Sequence, residues 1–212
     1  NMDRKVVIVD YGMGNLHSLK RIVSSHNIPV TISNKASELL TATHLILPGV
    51  GHFGQAMEQL KRNELIEVLN YLALEEKRPI LGICLGMQLM TFFSEEGDCE
   101  GLGWFKCKTL NLQAHTEPSI KIPHLGWNTL AVKNDHKILA DISASDEMYF
   151  VHGFGVVEAM EEEVLCTTSY GIEFVSGLCR NNLIGLQFHP EKSHGNGQVI
   201  LSNFVKSCIV HE

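Results

Sequence analysis

The 212-residue chain has no apolar run approaching the ~20 residues that a membrane-spanning helix needs. Nor does a basic-then-apolar leader open it, so a cytoplasmic protein is expected. Basic side chains are in deficit, 17 Lys and Arg against 24 Asp and Glu. The resulting net charge of −7 argues against nucleic acid as a partner, because binding phosphates requires a basic face. No Cys-x-x-Cys pair occurs among the six cysteines at 84, 99, 107, 166, 179 and 208. So sparse a set excludes a disulfide scaffold and suits a reducing compartment. The eleven histidines form neither His-Glu-x-x-His nor a Cys/His cluster with ligand spacing, so neither metal nor cofactor is expected. Linkers, repeats and low-complexity stretches are missing too. The length fits one domain, taken as residues 2–212, with Asn1 ahead of Met2 read as an expression remnant.

What is present is an alternation of apolar strands and helical patterns. Residues 5–10, 29–33 and 44–48 read as buried strands. Asn15 is placed to cap a helix carrying Leu16, Leu19, Ile22 and Val23. Further helices are expected near residues 36–40, 53–62 and 64–75, followed by a strand ending at Ile83 and another helix. This pattern predicts βαβ units and a parallel sheet. From about residue 103 shorter strands take over, at 104–110, 129–132, 147–151, 164–169, 174–180 and 183–188. Tyr170-Gly171 and Asn181-Asn182 mark turns between them, and a helix over 197–210 closes the chain.

The chemistry concentrates at Gly82-Ile-Cys-Leu-Gly86. A nucleophile between flanking glycines, where a strand gives way to a helix, is the nucleophile-elbow pattern with cysteine in place of serine. The glycines are expected to permit a sharp bend that lifts the Cys84 sulfur above the sheet edge. A helix N-terminus there would favour thiolate over thiol. A thiolate needs a base, and the base needs an orienting group. Leu183-Ile-Gly-Leu-Gln-Phe-His-Pro-Glu191 supplies His189 and Glu191 on one short segment. The expected triad has Cys84 attacking, His189 moving the proton, and Glu191 holding the ring. Gly49-Val-Gly51-His-Phe-Gly54 matches a dinucleotide fingerprint only weakly, since Pro48 precedes it and Glu67 falls within a helical stretch. It fits better as a loop facing the elbow, whose N–H groups, with that of Leu85, receive a developing oxyanion.

Pro48-Gly-Val-Gly51, Gly82-Ile-Cys-Leu-Gly-Met-Gln88 and His189-Pro-Glu191, in that order, resemble the triad (class I) glutamine amidotransferases. Asp10-Tyr-Gly-Met-Gly-Asn15, Ile122-Pro-His-Leu-Gly-Trp-Asn128 and Met148-Tyr-Phe-Val-His152 are similar to the glutaminase subunit of imidazole glycerol phosphate synthase. The resemblance spans about Lys5 to Phe204. It implies a flavodoxin-like three-layer α/β fold, its mostly parallel sheet extended by antiparallel strands in the C-terminal half. It also implies hydrolysis of glutamine through a cysteinyl thioester, with ammonia passed through a sheltered channel to a (β/α)8-barrel cyclase subunit in a heterodimer.

Carried over by position, Gly49, Gly51, Gln88, Glu96 and His152 would hold glutamine. The N–H groups of Val50 and Leu85 would form the oxyanion hole. Gly12, Asn15, Trp127, Tyr149 and Lys192 would lie toward the partner. Gly153 and Phe154 stand where the family usually has a hydroxyl residue and then tyrosine, and His194-Gly-Asn-Gly-Gln198 is a more polar opening to the last helix than the family's. These departures keep open a paralogue feeding another synthase, such as one that amidates or amidinates a sugar. A noncatalytic subunit and a peptidase-like thiol hydrolase are the readings from other classes.

Overall fold

A computed structural model describes residues 3–209, and Val210, the expected end of the last helix, lies outside them. Aliphatic runs form β1 (Val6–Val9), β2 (Val30–Ser33), β3 (His44–Leu47) and β4 (Ile80–Ile83). Between them lie α1 (Leu16–Ser24), α2 (Ala36–Leu39), α3 (Phe53–Arg62) and α4 (Ile66–Asn70), the last continuing as a π-helical turn over Tyr71–Glu75. Past the elbow come α5 (Leu85–Leu89), β5 (Thr91–Ser94), β6 (Cys99–Glu100), β7 (Phe105–Asn111), β8 (His124–Thr129) and β9 (Ala131–Val132). The chain then forms β10 (Glu147–His152), β11 (Phe154–Gly155), β12 (Val164–Ser169), β13 (Glu173–Arg180), β14 (Leu183–Leu186) and α6 (His194–Ser207).

The main sheet has the order β2-β1-β3-β4-β14-β13-β12-β9. Its first five strands run parallel and the remaining three pair antiparallel, as expected for the mixed α/β fold. Parallel strands covered on both faces need apolar residues on both, and these have them. Val7 and Val9 pack with α3 and α4, whereas Val6 and Ile8 pack with α1 and α6 on the opposite face. Among the described residues no helix is long and apolar enough to cross a membrane.

Three boundaries differ from expectation. The helix after the elbow stops at Leu89, and Thr91-Phe-Phe-Ser94, rich in branched and aromatic residues, forms a strand instead. That strand opens a four-stranded sheet, β11-β7-β5-β6, well before residue 103. Residues 129–132 are not one strand. His124–Thr129 pairs with β10 in a separate ribbon, buried Leu130 intervenes, and Ala131–Val132 joins the main sheet. The last helix begins at His194, because Ser193 and the turn before it already bend the chain into the helical path.

The register of three adjacent strands positions everything that follows. Leu47 lies beside Gly82, and Ile83 beside Leu186, in parallel pairing. The loops after β3, β4 and β14 therefore leave the sheet at the same carboxyl edge, where ligands of open α/β sheets bind.

Candidate active site

Cys84 caps α5 with φ 55° and ψ −110°, a conformation costly for a residue with a Cβ and typical of sites where function holds strain. The elbow's bend thus falls on the cysteine itself. Gly82 and Gly86 are needed for space: a Cβ on Gly82 would press on the Gly86 carbonyl, and one on Gly86 would overlap the Leu47 carbonyl oxygen. We expect Gly86→Ala to destabilise the fold by about 3 kcal/mol, since backbone cannot yield as a side chain does. A urea titration checks this; an unchanged midpoint would mean that β3 and α5 can separate freely.

The Cys84 N–H donates to the Leu186 carbonyl at 2.7 Å. The residue is 6% exposed, its sulfur 3.8 Å from the Val151 carbonyl and 3.7 Å from Gln187 Nε2. The helix behind it is only five residues long, so its dipole is small.

The expected base is His189. Its backbone N–H donates to the Tyr149 carbonyl, and its own carbonyl accepts from Ser193 Oγ at 2.6 Å, which closes the turn Pro190–Lys192. The turn returns the Glu191 carboxylate to accept from Nδ1 at 2.7 Å, both side chains being nearly buried. Nε2 is buried with no hydrogen-bond partner. Burial alone would lower the His189 pKa, but pairing with the Cys84 sulfur and the Glu191 carboxylate outweighs it and raises the pKa to about 10. Nε2 and the sulfur do not meet hydrogen-bond geometry here, a looseness common in ligand-free sites.

A cavity of about 190 Å³ opens beside the sulfur. Cys84, Leu85 and Gln88 form one wall, Val50 and Gly51 a second, and Val151 to Phe154 a third, with Glu96 at the rim. The Gln88 amide nitrogen is held by the Phe154 carbonyl at 3.0 Å and Gln187 Oε1 at 3.1 Å, leaving its oxygen free to accept from a ligand. Glu96 belongs to no helix. It follows β5, and Oε1 accepts from the Phe53 N–H at 2.8 Å at the start of α3. His152 lies deep in the third wall, its Nδ1 2.9 Å from the Phe154 carbonyl.

Of the two expected oxyanion donors, Leu85 N–H is engaged by the Gly49 carbonyl at 3.3 Å. Val50 is 44% exposed and lines this cavity and a smaller cleft of about 30 Å³ on the other side of its loop. Gly49 lines the cleft and not the cavity; a Cβ there would overlap the Tyr11 hydroxyl, which itself donates to the Pro48 carbonyl at 2.5 Å.

Asn15, Lys192 and Glu191 meet in the same cleft, beneath His189. The Asn15 side chain makes no cap hydrogen bond, contrary to the expected capping role, and is exposed. Trp127 is 43% exposed, stacked on His194 with ring centroids 5.1 Å apart and edge-on to Tyr149 at 5.7 Å. The Tyr149 N–H donates to Ser193 Oγ, so this aromatic group is tied to the His189 turn. Gly12 stands apart, turned toward Gln59 on α3. Sequence reasoning missed Gln187, Val151 and Ser193. Gln187 alone carried a signal, since it follows Leu186 and register places it beside the elbow cysteine.

A strained cysteine at a strand end, a buried His–Glu pair beside it and a cavity opening at the sulfur define a thiol enzyme of the amide-handling α/β class. The chain belongs to the class I glutamine amidotransferase family, whose model matches residues 7–208. Within it, the chain falls among HisH glutaminase subunits. It is 41% identical over 203 residues to imidazole glycerol phosphate synthase subunit HisH 2 of Methanococcus maripaludis, covering 96% of this chain and 100% of the relative. With HisH of Aquifex aeolicus it shares 42% over 206 residues, covering 96% and 97%. The PurLQS structure of Thermotoga maritima superposes with a TM-score of 0.75 at 18% identity over 97% and 99% of the two chains, which speaks for the fold alone.

Proposed function

We propose that this chain is the glutaminase subunit of imidazole glycerol phosphate synthase, acting as one amidotransferase domain. The observation that carries this is the geometry at the edge of β4 and β14: Cys84 over the cavity, with the His189–Glu191 pair buried beside it. Glutamine enters the cavity with its side-chain amide toward the sulfur. Cys84 attacks the carboxamide carbon; the carbonyl electron pair collapses back as the C–N bond breaks, and His189 gives the proton that lets ammonia leave. Water, deprotonated by the same imidazole, then cleaves the thioester to glutamate. Gln88 and Glu96 hold the substrate in this scheme, His152 backs the wall behind it, and Gly51 lets the loop approach it. The oxyanion between the steps requires Leu85 N–H to be released from the Gly49 carbonyl and the Val50 N–H to turn inward, a movement the glycines at 49 and 51 make easy.

Ammonia leaves by the cleft under His189. Released into bulk water it would be protonated and lose the lone pair it needs, so a closed path to a (β/α)8-barrel cyclase keeps it reactive and excludes water. Val50, Asn15 and Lys192 line that exit, and with Trp127 and Tyr149, tied to the His189 turn through Ser193, they form the docking face in this proposal, with Gly12 at its edge. The test is glutamate release with and without the barrel subunit and its ribulosyl substrate. Stimulation of at least about tenfold is expected, because a single oxyanion donor is worth about a hundredfold or more. A flat response would favour a paralogue serving another acceptor, the reading to which Gly153 and Phe154 point.

A further inference from the structure

We propose that His124 is a positioning residue for the glutamine cavity, acting through His152 on the carbonyl of Phe154; this rests on the glutaminase reading above. His124 and His152 are direct cross-strand partners in the β8–β10 ribbon. Their rings are joined by a hydrogen bond of 3.0 Å between His124 Nδ1 and His152 Nε2. His152 Nδ1 faces the Phe154 carbonyl at 2.9 Å, and His124 Nε2 faces Asn128 Nδ2 at 3.4 Å.

The two ends fix every proton between them. A carbonyl can only accept, so His152 carries its hydrogen on Nδ1 and must accept at Nε2. His124 therefore donates from Nδ1 and accepts at Nε2. At the far end, Asn128 Nδ2 also donates to the Ser169 carbonyl at 2.9 Å, while Oδ1 accepts from the Thr129 N–H at 2.8 Å, so the amide cannot turn round. Both rings are thus neutral Nδ1–H tautomers, the form that free histidine disfavours. Burial supports this by lowering the pKa of His124 to about 4 and, outweighing the hydrogen bond to the Phe154 carbonyl, that of His152 to about 3. Stacking holds the His124 plane, with Tyr170 at 4.0 Å and Phe150 at 4.8 Å, each tilted by 21°.

The relay ends on a working part of the cavity. The Phe154 carbonyl takes a second hydrogen bond from Gln88 Nε2, whose other donor reaches Gln187, the neighbour of Cys84. Without the His124 donor, His152 Nε2 is a buried acceptor with nothing to accept. Unheld at Nε2, the ring then turns off the Phe154 carbonyl. The 153–154 wall moves away and Gln88 loses its anchor, so glutamine is held less firmly while the sulfur is untouched.

His124→Phe keeps a ring between Phe150 and Tyr170 but removes the donor. His124→Asn places an amide N–H where Nδ1–H stood. With the barrel subunit present, the phenylalanine variant should raise the KM for glutamine about tenfold with kcat within about twofold, the pattern of lost binding and intact chemistry. The asparagine variant should return KM to within about threefold of wild type, even where its melting temperature is lower. A KM that follows melting temperature instead of the donor overturns the proposal. Nitrogen-15 spectra of the wild-type rings are a second check, independent of variant folding: an Nε2–H or charged His152 overturns it, and two Nδ1–H rings support it. If the wild type releases no glutamate with the barrel bound, the functional reading fails. Turnover with an unaltered KM in His124→Phe sinks only the positioning role.

Discussion

Cys84→Ala should abolish glutamine hydrolysis, by on the order of 10⁴-fold or more, because the atom that forms the covalent bond is gone. The fold should survive, since alanine can remain over the cavity and the backbone N–H still reaches the Leu186 carbonyl. The assay has two arms on the complex with the barrel subunit. Glutamine as nitrogen source should give nothing, and an ammonium salt at alkaline pH should restore product, because the exit cleft and docking face are unchanged. Wild-type rates with glutamine in the alanine variant would make the chain a noncatalytic subunit. Loss of both arms would mean that Cys84 is needed for assembly and not for chemistry.

Local signals in the sequence carried the parallel half of the fold and the triad. An unbroken apolar strand followed by Gly-x-Cys-x-Gly specifies its own surroundings within ten residues, and His189-Pro-Glu191 closes on itself through a single turn. Pairing of β4 with β14 then joins the two motifs, so an alternation of strands and helices sufficed to place them at one sheet edge. What was hidden depended on partners distant in the chain. Thr91-Phe-Phe-Ser94 continues a helical stretch without any Gly or Pro between, and only its pairing with β7 decides for strand. Nothing local set Glu96 against the start of α3, where its carboxylate accepts the Phe53 N–H. His124 lies inside a recognised motif, yet its role depends on Phe154 and Asn128 together.

The state of the oxyanion loop could not be read from residues either. Glycine at 49 and 51 says that the loop can turn, and only coordinates show which way it has turned. Here the Gly49 carbonyl occupies the Leu85 donor, so the cysteine, imidazole and carboxylate are assembled while the site for the developing charge is closed. Asn15 and Lys192 share with Val50 the cleft on the other side of that loop.

Glu191→Gln keeps the size and an acceptor for Nδ1 but removes the charge, and should lower kcat/KM by about a thousandfold, somewhat less than the loss typical of a serine triad. Its pH behaviour separates electrostatics from geometry. The His189 pKa is raised from its ordinary 6.5 to about 10, so the imidazolium is held through neutral pH, ready to protonate the leaving amine. A raised pKa contributes stability that is complete below the unfolded value and lost as pH climbs through the folded one. Without the carboxylate the folded value falls. The alkaline limb of kcat/KM should therefore move to lower pH in the variant, and the stability gap to wild type should be widest near about pH 6 and close toward about pH 10. Denaturant midpoints across that range measure the gap directly. A gap that widened with pH would mean that Glu191 stabilises a neutral ring, and the proton needed by departing ammonia would have to come from elsewhere.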